Sequence, residues 1–227
     1  MSDLKWSYSS LGLFQQCPRK YYHLRVAKDI KEPETEAILY GKLVHEAAEF
    51  YIGKGTPLPP PFEQFKEVLD MLKNIPGEKL CEYKMGLKKE DGRLVACDFF
   101  AKDVWYRGVA DLVILNNDKQ EARVIDYKTG KSAKYADTKQ WALMAACIFV
   151  HFPQIKTVKA GLLFVVAEDF IKADYDAGTG LNIFSELDET LASRETAYEY
   201  MVFNPKQNFT CKAWCPVIIC PHNGRMQ

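Results

Sequence analysis

Three stretches of the chain carry residue types that can do chemistry together. The first is Val124-Ile125-Asp126-Tyr127-Lys128. On a strand, Asp126 and Lys128 share one face while Ile125 and Tyr127 turn into a core. A carboxylate beside an ammonium is either a surface ion pair or a divalent-metal ligand next to a cation that orients a water or steadies a phosphate. The second stretch, Gly108 to Ile114 (GVADLVI), places Asp111 among apolar neighbours, where an acid is costly unless paired or bound to metal. In the third, Gly41, His45 and Glu49 are spaced four apart and share one helix face. His45 alone reads as an ordinary core or surface histidine. Opposite two acids it becomes a third ligand, in a donor set that suits Mn²⁺ and related metals. Gly41 costs about 1 kcal/mol inside a helix, which suggests close backbone approach to the sheet. Gln140, at the start of a helix, either reaches a phosphate or base edge or is a plain surface amide.

Seven cysteines are an odd number, which argues against a disulfide framework. Cys81, Cys97 and Cys147 sit in apolar or strand-like stretches and read as small core residues. Cys211, Cys215 and Cys220 crowd the last seventeen residues, and Cys17 stands alone near the start. Together these four meet the requirement of an iron–sulfur cluster. Zinc would accept Cys₄, or Cys₃His through His222, equally well, and free thiols on a loose tail are the bland alternative. A shared metal group would clip the chain ends together and close a loop of about 200 residues, a structural role.

These residues need elements to hold them. Apolar positions Leu11, Phe14, Tyr21 and Leu24 with Pro18 between them predict two helical pieces hinged at Cys17-Pro18. Residues 34–51 read as an amphipathic helix on Ile38, Val44, Ala48 and Tyr51, then a stiff loop over 53–61 and a short helix over 62–73. From there the period changes. Strands are expected at 80–87, 93–101, 104–115, 121–127 and 158–166, with Asp91-Gly92 as a hairpin turn and Asn116-Asn117-Asp118 as a second. The apolar run Trp141 to Val150 lies on a helix between the last two strands. Thr129 to Ser132 breaks the fourth strand, Gly178-Thr179-Gly180 is a loop, and 182–203 is a long helix with an acidic face. The expected fold is α/β, a mixed sheet wrapped by helices.

Composition bounds the rest. The chain has 227 residues, 48% hydrophobic and 26% charged, so it can bury a core and is not a disordered tail. The ten-residue apolar run is too short for a membrane span, which takes about 20. No charged-then-apolar stretch opens the sequence, so a soluble, cytoplasmic protein is expected. Thirty bases balance thirty acids, so any basic surface is local. Residues 17–31 carry five bases against one acid, 168–199 carry nine acids against two bases, and the chain after Asn204 carries three bases and no acid. Arg19, Lys20 and Tyr21 in the first of these would suit a single-stranded path, or the tyrosine packs against the sheet and the bases are solvated.

The whole set resembles the RecB-like branch of the PD-(D/E)XK nuclease superfamily, particularly its iron–sulfur members, which include CRISPR-adaptation nucleases and phage exonucleases. The matching residues run from Ser9-Ser10-Leu11, Phe14 and Cys17 to Tyr22, through Gly41…His45…Glu49 and Gly108…Asp111, to Asp126-Tyr127-Lys128-Thr129-Gly130, Gln140 and the terminal cysteines. The resemblance implies a restriction-endonuclease-like core over residues 30–203. Residues 1–29 and 204–227 would form an appendage clipped by a 4Fe–4S cluster on Cys17, Cys211, Cys215 and Cys220. It implies that His45, Asp111, Asp126 and the Tyr127 carbonyl hold Mn²⁺ or Mg²⁺, that Lys128 positions the attacking water, and that Gln140 supports the site. The expected substrate is DNA, single-stranded or with free ends, in recombination, replication or defence, with recombination or replication proteins as partners. A scaffold that binds DNA without cleaving it is the alternative. The sequence departs from the family in two places: Met144 stands where a tyrosine is common, and the cysteine trio is spaced x3 and x4 rather than x2 and x5.

Overall fold

The computed structural model describes residues 4–130, 138–166 and 169–226. Lys131 and Ser132, in the expected break after the fourth strand, lie outside them, as does Glu168. Backbone contacts divide the chain into two compact units, residues 4–5 with 35–184 and residues 6–34 with 185–226. The first boundary lies near the expected residue 30. The second lies some way before the expected residue 203, because most of the long acidic helix packs with the chain ends.

The larger unit is built on a six-stranded mixed sheet in the order β2-β1-β3-β4-β5-β6. Its strands are β1 (Glu78–Glu90), β2 (Arg93–Cys97), β3 (Tyr106–Asn116), β4 (Glu121–Lys128), β5 (Thr157–Phe164) and β6 (Asp169–Asp176). Asp91 and Gly92 both take positive φ, 48° and 74°, the geometry that two-residue hairpins require. β4 and β5 are parallel and every other pair is antiparallel. A parallel pair needs a crossover, and α5 (Thr138–His151), which contains the apolar run, supplies it. β6 is an edge strand whose sequence, DFIKADYD, is too acidic and too exposed to announce itself. It pairs with β5 along its whole length, and the ring of Phe170 fills the space where a side chain on Gly161 would stand.

Helix α3 (Glu36–Lys54) starts at Thr35, whose hydroxyl accepts the Ile38 amide, and stops at Gly55 in the left-handed region. Val44, Ala47, Ala48, Tyr51 and Ile52 of α3 pack with Leu69 and Leu72 of α4 (Lys66–Asn74) on Leu112, Ile114, Ile125, Tyr127 and Leu163 of the sheet. Ile125 and Tyr127 thus face the core as the alternation predicted. Ile38, assigned to the buried face by its spacing, is instead exposed, together with Leu39 and Leu43. The helical period continues past the end of the surface that α3 can cover.

The smaller unit holds α1 (Tyr8–Gln16), α2 (Pro18–Tyr21), a π-helical turn (Tyr22–Val26), and α7 (Ile183–Glu199) from Ser185 onward. Cys17 is extended and its sulfur accepts the Lys20 amide, so the expected hinge is also the N-cap of α2. Gly178-Thr179-Gly180, expected as a loop, instead lie in a single helical turn, α6 (Ala177–Gly180), capped by Asp176.

Candidate metal centre

Asp111 and Asp126 lie on neighbouring antiparallel strands. The ladder pairs Leu112 with Ile125, and the same register carried one residue further sets the two acids opposite each other. There the backbone pairing gives way. The Tyr127 amide donates to Oδ2 of Asp111 at 2.6 Å, and the other carboxylate oxygen faces Nδ1 of His45 at 3.3 Å. His45 reaches the sheet end from α3, its ring edge-on to Tyr127.

β1 contributes a residue that the sequence did not single out. Glu82 stands across from Asp111, between the pairs Cys81–Leu112 and Tyr83–Ala110, with φ at 48°. A non-glycine residue in the left-handed region is uncommon and costs energy. One ligand atom each from His45, Glu82 and Asp111 lies within 4.8 Å of the other two, the one such group of three or more among the described residues. The only sequence signal for Glu82 is an acid between Cys81 and Tyr83, and nothing in that pattern fixes its register against Asp111.

Asp126 is held differently. Its Oδ1 accepts Nε2 of Gln140 at 3.2 Å and its Oδ2 pairs with the Lys128 ammonium. Asp126 and Lys128 are within ion-pair reach of each other, and Gln140 approaches the acid from α5. Met144, one turn further along α5, is buried with its sulfur close to Gly108, three residues before Asp111. The expected ligand set of His45, Asp111 and Asp126 is therefore distributed over two adjoining groups, His45–Glu82–Asp111 and Asp126–Lys128–Gln140.

The electrostatics of the site share one sign. Burial pushes the Asp126 carboxyl up, and repulsion from Asp111 adds to it against the pull of Lys128. Glu82 is pushed up by burial and then by Asp111. The hydrogen bond to Asp111 holds His45 above its ordinary value, with Asp126 and Glu82 adding to the effect. Burial and mutual repulsion raise the two acids, and the acids raise His45, so all three shifts reflect negative charge gathered at one place. A divalent cation is the natural complement. Ligand atoms on opposite sides of one such ion are about 4.2 Å apart, so the group within 4.8 Å fits one with small adjustment. An open cleft gives access to it, walled by Gly41, Lys42, Glu46 and Glu49 of α3 and by Thr129. A side chain on Gly41 would meet the Thr129 hydroxyl at 3.5 Å, an ordinary contact. Gly41 therefore sits near the sheet without being forced there.

In the smaller unit Cys17, Cys211, Cys215 and Cys220 are all buried around one small cavity, which His222 also lines. None of them, with each other or with His222, forms a set of three ligand atoms within 4.8 Å. The Lys206 amide donates to the sulfur of Cys17 at 3.4 Å and the Asn208 amide to that of Cys211 at 3.5 Å. Tyr21 is only 2% exposed; its ring packs on Phe14 and Phe203 and its hydroxyl meets Tyr198 and Arg194. Lys20 is buried too, paired with Glu32 at 3.2 Å, and Arg19 is half-buried. Tyr21 has no free ring face to offer a base, because the aromatic cluster of α1, α2 and α7 uses it as core.

Sequence comparison places the chain in a family. Residues 5–221 match the PD-(D/E)XK nuclease superfamily, and the chain belongs to it. Its six-stranded mixed sheet flanked by helices is the restriction-endonuclease-like architecture, and the superfamily's members are in general metal-dependent nucleases. Among solved structures, one described as "Crystal structure of SSO0001" matches at 14% identity over 96% of this chain and 87% of that one, with a TM-score of 0.41. No curated protein matches the sequence significantly. Among the described residues, no helix is long and apolar enough to cross a membrane.

Proposed function

We propose that the protein is a divalent-metal-dependent deoxyribonuclease that hydrolyses phosphodiester bonds, acting on single strands or free ends. The observation that carries this reading is the convergence of His45, Glu82 and Asp111 on one point beside the Asp126–Lys128 pair. His45, Asp111, Asp126 and the Tyr127 carbonyl, joined by Glu82, would hold Mn²⁺ or Mg²⁺. When bound, such an ion acts as a Lewis acid and makes water nucleophilic near neutral pH.

The chain's own residues divide the remaining work. Lys128 holds the attacking water and meets the charge that grows on the phosphate oxygens. The Tyr127 amide fixes the rotamer of Asp111, and Gln140 fixes that of Asp126, so the carboxylates are set before substrate arrives. The open cleft along α3 admits a polyanion once the acids are neutralised. Products would carry a 5′-phosphate and a 3′-hydroxyl.

The cysteine set supports the iron–sulfur branch of the family. Tetrahedral zinc with 2.3 Å bonds would hold all four sulfurs about 3.8 Å from one another, whereas no three of them lie mutually within 4.8 Å. A four-iron cluster spreads its four thiolates over separate irons, and amide donors to cysteine sulfur suit it. Its role would be to tie Cys17 to the C-terminal segment. A cytoplasmic setting and a part in recombination, replication or defence follow from the same reading.

The test is cleavage of end-labelled single- and double-stranded DNA by protein purified without oxygen, in Mn²⁺, Mg²⁺ or EDTA. Cleavage in either metal that stops in EDTA supports the nuclease. Tight DNA binding with no turnover in any metal would make the protein a scaffold.

A further inference from the structure

We propose that the C-terminal segment carries a stacking platform for single-stranded nucleic acid, centred on Trp214. From Cys211 to Cys220 the chain alternates sharply: Cys211, Cys215, Val217 and Cys220 turn inward, while Lys212, Trp214, Ile218 and Ile219 turn out. Trp214 is 75% exposed, and Phe209, which opens the 3₁₀ turn ending at Lys212, is 79% exposed. The other three tryptophans, Trp6, Trp105 and Trp141, are all buried. Two large aromatic rings left in water on one short segment mark an interaction surface rather than a core.

The surface is rigid. The 3₁₀ turn at Phe209–Lys212 is capped by Asn208. The second turn at Gly224–Met226 packs so closely that a side chain on Gly224 would strike the Lys212 carbonyl. Asn223, buried, donates to the carbonyls of Cys215 and Val217 at 3.1 and 2.9 Å. The Arg225 guanidinium bonds the carbonyl of Ala213, the residue before Trp214. Lys212 and Arg225 thereby belong to the same braced segment as Trp214, and a braced segment loses little ordering entropy on binding.

Charge selects the occupant. Residues 205–227 contain Lys206, Lys212 and Arg225 and no acid, in a chain that is neutral overall. Cations interleaved with open aromatic faces suit a flexible polyanion with unstacked bases, in which each base presents a face to an indole or phenyl ring. The choice of polyanion rests on the nuclease reading, but the platform can be tested without cleavage. It would also supply the stacking surface that the buried Tyr21 does not.

The experiment is titration of the full-length, cluster-loaded protein with a labelled fifteen-nucleotide oligothymidylate in EDTA. Tryptophan fluorescence and oligonucleotide anisotropy are followed together, and metal-dependent cleavage is measured in parallel. The oligonucleotide should quench the one exposed tryptophan. Trp214→Ala should weaken binding about tenfold, Trp214→Phe should retain most of the affinity, and Lys212→Ser should reduce the salt slope by about 0.7. Unchanged affinity of Trp214→Ala beside intact cleavage overturns the platform and leaves the nuclease standing. So does wild-type protein sedimenting as a dimer that Trp214→Ala turns into a monomer, since the face would then be a protein interface. Wild type that neither binds nor cleaves overturns both readings.

Discussion

Glu82 stands across from Asp111 in the antiparallel ladder, at the one position between Cys81 and Tyr83 where β1 adopts the left-handed conformation. The kink takes Glu82 out of regular pairing and brings its carboxylate within 4.8 Å of Asp111 and His45. A half-buried and a buried acid at this range repel, and the backbone strain adds to the cost. A cation held between them would offset both.

Glu82→Gln should therefore cost metal affinity before it costs fold. The expected loss is about 10–100-fold in Mn²⁺ affinity, measured by calorimetry on the metal-free protein, with a thermal midpoint at or above wild type. Unchanged affinity would remove Glu82 from the ligand set.

Gly41 separates helix stability from access. It occupies a helix interior with room for a methyl group against Thr129, so Gly41→Ala should stabilise the larger unit by about 1 kcal/mol in urea unfolding. If cleavage falls in this more stable variant, substrate passes close to the α3 backbone.

His151 gives a pH dependence of known sign. Its Nε2 donates to the Gly86 carbonyl at 2.9 Å and its Nδ1 lies 3.4 Å from the Tyr83 hydroxyl, so the neutral ring satisfies both partners. Burial holds it below its ordinary value. As pH falls through about 6.5, the unfolded chain takes up the proton first, and stability drops until the folded ring is protonated too. His45, Glu82 and Asp126 are shifted the opposite way, so a difference measurement is needed. The free energy of unfolding should fall more steeply between about pH 7 and pH 5 in wild type than in His151→Gln.

Cys17→Ser should remove the only N-terminal ligand of the proposed cluster. The visible absorption of the purified protein should be lost, and the smaller unit destabilised by about 3–5 kcal/mol through the reopened loop. Cys147→Ser, in the core of the larger unit, should leave the absorption intact.

How much of this was legible in the sequence depends on how local each signal is. Asp126 and Lys128 declare a shared face two residues apart, and His45 declares its helix face by a spacing of four, so α3 and β4 could be read directly. The register between strands is not local. Nothing in LCEYKMGL states that Glu82 will meet Asp111, and nothing in YRGVADLVILN says so either. Tyr21 left two readings open, a stacking face beside bases or a packed ring, because its partners, Tyr198 and Arg194, lie more than 170 residues away. β6 was missed because an acidic edge strand has no buried face to leave a period in the sequence. The acidic helix 182–203 was found, but its membership in the smaller unit was not, since that follows from contacts with α1 and α2.

The most direct measurement is the single-turnover cleavage rate of Asp126→Ala beside wild type on end-labelled single-stranded DNA in Mn²⁺, both proteins purified without oxygen. The predicted result is a loss of at least about 100-fold with DNA binding retained. Cleavage at the wild-type rate by Asp126→Ala would contradict the assignment of the site.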